Sequence, residues 1–125
     1  MLNLNSFMLG SEDYEKLAKF YGEVLQKEPE MVDEEHGYIG YLAGNCFLSI
    51  GAHDKVTGKN TNPERIIWFF ETNEVEEEFK RIKALEGAAV IKEPYSPSGD
   101  GKMQIATLAD PDGNYFQLVT PWDAQ

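Results

Sequence analysis

Two stretches of helical periodicity in this sequence each lie between an apolar run and a series of short strand-like runs. That doubled order limits the fold more than any other feature. In the run LNLNSFML, Leu2 and Leu4 alternate with Asn3 and Asn5, the two-residue period of a strand. Gly10 and Ser11 break it, and Ser11 or Asp13 is placed to cap a helix whose first turn carries Glu12, Asp13 and Glu15. Tyr14, Leu17, Ala18, Tyr21, Val24 and Leu25 then recur at helical spacing, with an end expected near Gln26, before Pro29. EMVDEE, HGYIGYLAG and NCFLSIGAH read as three strands, the last two joined through Gly44-Asn45. After the polar stretch HDKVTGKNTNPE the order returns. RIIWFFET is a buried-strand run, and Asn73 is the expected cap of a helix striped by Val75, Phe79, Ile82 and Leu85. Gly87 stands as its terminator, and AAVIKEP, KMQIATLAD and NYFQLVTPW follow as strands. GNCFLSIGA also matches GNYFQLVTP at Gly-Asn and Phe, as an internal repeat requires.

The fold class expected is therefore α+β: two βαβββ modules, each with a helix on one face of its sheet and the other face left open. Two open faces can meet and enclose a cleft. A chain of 125 residues fits one domain, with module one at about 1–53, a linker at about 54–64 and module two at about 65–125. Its 42% hydrophobic content suffices for a core. A net charge of −11 opposes phosphate backbones and anionic lipid, so neither nucleic acid nor membrane is an expected partner. No apolar run is long enough to span a bilayer, and the N-terminus lacks the basic segment of a signal peptide. A cytoplasmic location is the default expectation. The single cysteine, Cys46, fits a reducing compartment and has no basic neighbour in sequence to make a thiolate.

The most specific string is LADPDGNYFQLV, Leu108 to Val119. Pro111 fixes φ for a turn, Asp110 and Asp112 can accept from turn amides, and Gly113 supplies positive φ before an alternating strand begins. Together with EDYEKLAKFYGEVL and FKRIKALEGAAVIKEP, in order along nearly the whole chain, this resembles the vicinal oxygen chelate superfamily. That superfamily includes glyoxalase I, extradiol dioxygenases, fosfomycin-resistance transferases and bleomycin-resistance proteins. The resemblance implies paired βαβββ modules with curved mixed sheets enclosing a cleft, and commonly a homodimer.

It also implies, for catalytic members, a divalent metal held by His, Glu or Gln on the first and last strands of the modules. Carried over residue by residue, those positions fall on Ser6, Leu48, Ile67 and Gln117. Leucine and isoleucine cannot coordinate, serine is a poor neutral ligand and glutamine a weak one. A slip of one residue, to Asn5, Phe7, Phe47, Ser49, Ile66, Trp68, Phe116 or Leu118, improves nothing. No cofactor and no metal are expected on that pattern. An off-pattern site at His36 with Glu34 and Glu35, or at His53 with Asp54, stays open, although no HxH or HxxxH spacing supports it.

Alternation places Ser6, Met8, Leu48, Ile50, Ile67, Phe69, Tyr115, Gln117 and Val119 on the cleft face. Phe7, Phe47, Trp68, Phe70, Phe116 and Leu118 fall beneath the helices. Tyr41, Tyr95 and Met103 are expected at the rim, with SPSGDGK (Ser96 to Lys102) as a flap or a long hairpin loop. The functional expectation is a metal-free binder of a small molecule, similar to bleomycin-resistance proteins, with no catalytic residue. The alternatives are a metal-dependent glyoxalase- or dioxygenase-type enzyme with displaced ligands, and a dimerisation module without a ligand. A metal-independent enzyme would need Glu71 or a tyrosine as its acid or base.

Overall fold

The computed structural model describes residues 1–122, and the chain divides after Gly58 into two compact units. The first contains β1 (Ser6–Ser11), α1 (Tyr14–Leu25), β2 (Met31–Asp33), β3 (Tyr38–Ala43) and β4 (Cys46–Ala52). The second contains a short 3-10 turn (Pro63–Arg65), β5 (Trp68–Glu71), α2 (Val75–Lys83), β6 (Ala89–Tyr95), β7 (Ile105–Ala109) and β8 (Tyr115–Val119). Each unit is a βαβββ module, and the chain is α+β.

In the first unit the sheet order is β1-β4-β3-β2, with β1 parallel to β4 and the other pairs antiparallel. β1 begins at Ser6, later than the alternation from Leu2 suggests. Its ladder starts at Ser6↔Phe47, so Leu2 and Leu4 have no strand opposite them and are exposed. α1 is capped by Asp13, whose Oδ1 accepts from Lys16 N–H at 3.2 Å, while Ser11 Oγ accepts from Asp13 N–H at 3.0 Å. Both expected capping residues are used, one on the helix and one on the turn before it. The helix packs on β1, β3 and β4 through Leu17, Ala18, Phe20, Tyr21 and Val24. Gln26 closes it in a left-handed conformation, φ 55°.

The second sheet has the order β5-β8-β7-β6, again with one parallel pair, β5 with β8. Pro63 turns the chain ahead of β5, which starts at Trp68 rather than at Arg65 and leaves Ile66 exposed. The residue preceding α2 is Glu74, not Asn73, and Thr72 Oγ1 accepts its amide at 3.0 Å. Val75, Phe79 and Ile82 are buried as expected, while Leu85 lies past the helix end and is half-buried. Gly87 ends this segment at φ 93°, and a side chain there would run into the Pro111 ring 2.7 Å away. β6 is the edge strand of its sheet and carries two register irregularities, between Val90 and Lys92 and between Lys92 and Tyr95.

The turn DPDGN is built around a buried carboxylate. Asp110 is 3% exposed, and its Oδ1 accepts from Asp112 N–H at 2.9 Å and Asn114 N–H at 3.0 Å. Asn114 Nδ2 donates to its Oδ2 at 3.0 Å. A buried charge is tolerable only with this many donors. The segment before β5 is fastened to the same turn. Asn60 N–H donates to Asp112 O at 2.8 Å, and Asn60 Nδ2 donates to Asn114 Oδ1 at 3.0 Å. Residues just past Gly58 thus belong to the second unit by their bonds. Asp110→Ala is expected to lower stability by about 3 kcal/mol, because several turn amides lose their acceptor at once. Urea unfolding measures it; a loss under about 0.5 kcal/mol would mean that the carboxylate does not hold the turn.

Candidate functional site

Strand register decides which side chains reach the open face of each sheet. In the second unit Trp68, Phe116 and Leu108 share one row, and Phe70, Leu118 and Ala106 the next. These are the helix-side rows. Phe116, Leu108, Leu118 and Ala106 are at most 2% exposed, and each of the larger ones contributes on the order of 2 kcal/mol by burial. The opposite face carries Phe69, Gln117 and Thr107 in one row, Glu71, Val119 and Ile105 in another, and Tyr115 beside Ala109. Phe69, Tyr115, Gln117 and Val119 therefore come together on the side away from α2, and Tyr95 pairs with Ile105 at its margin.

Phe69 is 55% exposed, while Thr107 and Val119 are nearly covered. Gln117 Nε2 donates to Thr107 Oγ1 at 3.1 Å, which fixes the amide and leaves its oxygen as an acceptor. Lys92 places its ammonium over the Tyr95 ring, 5.1 Å from the centroid. Ile67 lies half-buried just ahead of β5, and Met103 is half-buried in the loop before β7. Thr107 and Lys92 join this group through the ladder and were not among the residues expected there. The alternation in IATLA put Thr107 on this face, but nothing in the sequence pairs it with Gln117.

The first sheet sorts its residues differently from simple alternation between the two repeats. Ser6 stands beside Phe47 and Leu42, Met8 beside Ser49 and Gly40, and Gly10 beside Gly51 and Tyr38. The other face carries Phe7, Leu48 and Tyr41, then Leu9, Ile50 and Ile39. Tyr41 Oη donates to Ala18 O of α1 at 2.9 Å, so this second face is the helix side. Leu48, Ile50 and Tyr41 thus lie beneath α1 and are at most 4% exposed, whereas Phe47 is on the open face. Burial also pushes the Tyr41 phenol up, which keeps it a neutral donor to that carbonyl.

The cause is turn length. Ala43 pairs with Cys46 across Gly44-Asn45, while Ala109 pairs with Tyr115 across the longer DPDGN turn. GNCFL and GNYFQ match as strings, yet they enter their strands out of phase by one residue. A slip of one residue reverses every side chain. The open face of the first sheet also holds Gly10, Gly40 and Gly51, and their neighbours lie flat where side chains are missing. The Phe47 ring rests over Gly40, and Met8 Cε lies 3.1 Å from where a Gly51 Cβ would stand. Met8 is half-exposed, and Ser6, exposed at the end of the ladder, donates through Oγ to Asn5 Oδ1 at 2.9 Å.

The chain matches the glyoxalase-like domain family over residues 6–119. It belongs to that family. No curated protein matches it. Among solved structures it resembles a glyoxalase-related enzyme from Fulvimarina pelagi, with TM-score 0.76 and 20% identity over 97% of this chain and 89% of that one. A glyoxalase/bleomycin resistance protein/dioxygenase family enzyme from Burkholderia phytofirmans PsJN gives TM-score 0.74 and 20% identity over 95% and 98%. The genomically encoded fosfomycin resistance protein FosX from Listeria monocytogenes gives TM-score 0.73 and 21% identity over 99% and 98%. Such likenesses speak to the fold.

The residues present do not fit the divalent ion of the family's catalytic members. Leu48 is turned beneath α1, and the open-face positions flanking it are Phe47 and Ser49. Ile67 has no donor atom, and Gln117 offers only one neutral amide oxygen, a weak ligand by itself. Among the described residues no three His, Cys, Asp or Glu side chains are grouped to hold a metal ion. His36 Nδ1 instead meets Asp33 Oδ2 at 2.9 Å. The backbone N–H of His36, and then its ring, hold the Asp33 carboxyl below the usual carboxylate range. His53 Nδ1 accepts from Lys55 N–H at 3.0 Å, as a turn residue does. No helix among the described residues is long and apolar enough to cross a membrane. Gly40→Ala is expected to lift the Phe47 ring off its sheet and cost about 1–2 kcal/mol through overpacking. Phe47 ring resonances and urea unfolding check it; an unmoved ring would disprove the close seating.

Proposed function

We propose that this glyoxalase-like chain binds a small organic molecule on the helix-free faces of its sheets, by shape and apolar contact and without the divalent ion of the family's catalytic members. One observation carries the reading: of the four positions that the resemblance assigns to ligands, Leu48 is turned beneath α1 and Ser6, Ile67 and Gln117 form no chelating set, while Phe69, Met8 and Phe47 offer apolar surface on the open faces. A mostly apolar surface with one oriented amide is the composition of a small-molecule site. On this reading the chain would act as binders of the bleomycin-resistance type do. A homodimer in a reducing cytoplasm completes the reading, on the strength of the resemblance and of a single free thiol, Cys46.

A second reading has one specific support. The structural relatives from Fulvimarina pelagi and Burkholderia phytofirmans are described as enzymes, and the Listeria monocytogenes relative as a fosfomycin resistance protein. On that reading the chain would use a metal held by residues other than the four positions above.

Elemental analysis of protein purified without chelators separates the two. We expect less than about 0.1 equivalent of any divalent ion and an unchanged melting temperature after chelation, because no bound ion adds to stability. A stoichiometric ion lost on chelation with a falling melting temperature would overturn the metal-free reading. Titration of small aromatic compounds, followed by tryptophan fluorescence of Trp68 and Trp122, then tests binding itself.

A further inference from the structure

On the open face of the second sheet, the groups that reach solvent beside β5 are acceptors and a π surface. Phe69 is more than half exposed, and Glu71 follows it two residues along the same strand and face, roughly 7 Å away. Gln117 stands beside Phe69 in the ladder, its Nε2 already donating to Thr107 and its oxygen left to accept. An aromatic face, a carboxylate and an amide oxygen within one patch all attract a positive, hydrogen-bond-donating group. The positive group on this face, Lys92, belongs to β6 at the opposite edge of the sheet, with β8 and β7 between it and β5. Its ammonium is occupied over the Tyr95 ring. That pairing is also an intramolecular precedent: this face already seats one ammonium on an aromatic ring. Among the described residues no cation covers Phe69 in the same way. The net charge of −11 adds a field that concentrates cations and repels anions.

The geometry points to an organic ammonium, a protonated amine carrying an apolar or aromatic body, as the ligand class of this face. Phe69 takes the body and part of the charge, Glu71 the ammonium, and the Gln117 oxygen an N–H. The inference rests on the small-molecule reading above and sharpens it. An exposed carboxylate alone contributes little. The ring, the carboxylate and the amide oxygen acting together are what give a measurable preference.

Three probes of one shape test it: naphthylmethylammonium, naphthylmethanol and naphthoate, titrated into the full chain while backbone amide resonances are followed. The ammonium is expected to shift the amides of Phe69, Glu71 and Gln117 and to bind about tenfold more tightly than the alcohol, with naphthoate weakest. Glu71→Gln, an exposed substitution, should erase the ammonium's advantage over the alcohol. Phe69→Ala should weaken both. Equal binding of ammonium and alcohol, a preference for naphthoate, or a preference that survives Glu71→Gln would overturn the ammonium assignment. In those cases shifts at the same amides would leave the small-molecule reading standing. If none of the probes moves these amides, that reading falls with it.

Discussion

Each module depends on one parallel strand pair, β1 with β4 and β5 with β8. These ladders join the strand ahead of the helix to the last strand of the module. Their register therefore fixes which residues meet the helix and which face away. In the second module Phe69↔Gln117 puts an aromatic ring beside an amide on the open side, and Trp68↔Phe116 stacks rings on the helix side. In the first, Phe7↔Leu48 sends Leu48 under α1. The core and the candidate site are two readings of the same pairing.

The architecture was legible because it rests on local signals. Helical spacing of Leu17, Tyr21 and Val24 and of Val75, Phe79 and Ile82, together with the DPDGN turn, placed both helices and the β7–β8 hairpin close to where they lie. Strand starts were less legible. Leu2 and Leu4 alternate as well as any strand residues, but pairing needs a partner, and β4 offers none before Phe47. The candidate site was legible in the second module and only partly in the first. There the matching strings GNCFL and GNYFQ hide turns of different length, and hence opposite phase. String similarity carries residue type but not the side of the sheet on which a residue emerges.

Glycine has a particular use in the first sheet. Gly40 and Gly51 leave room for Phe47 and Met8 to lie along the backbone rather than stand off it. Over Gly40 and Gly51 the open face is built from a ring and a thioether, both polarizable, while Val56 and His53 approach it at Gly10. The second sheet reaches a different surface with larger residues: a hydrogen-bonded Gln117–Thr107 pair between Phe69 and the β6 edge. Two modules of one topology thus present unlike chemistry.

The two irregularities in β6 also bear on assembly. A regular edge strand invites another strand to continue its ladder. Here the kinked backbone, the missing amide hydrogen of Pro94 and the adjacent Lys92 and Glu93 interrupt any such continuation. A second copy or any other protein meeting that edge would have to recognise Val90, Ile91 and Tyr95 through side-chain contact, since the main chain offers it no unbroken row to join.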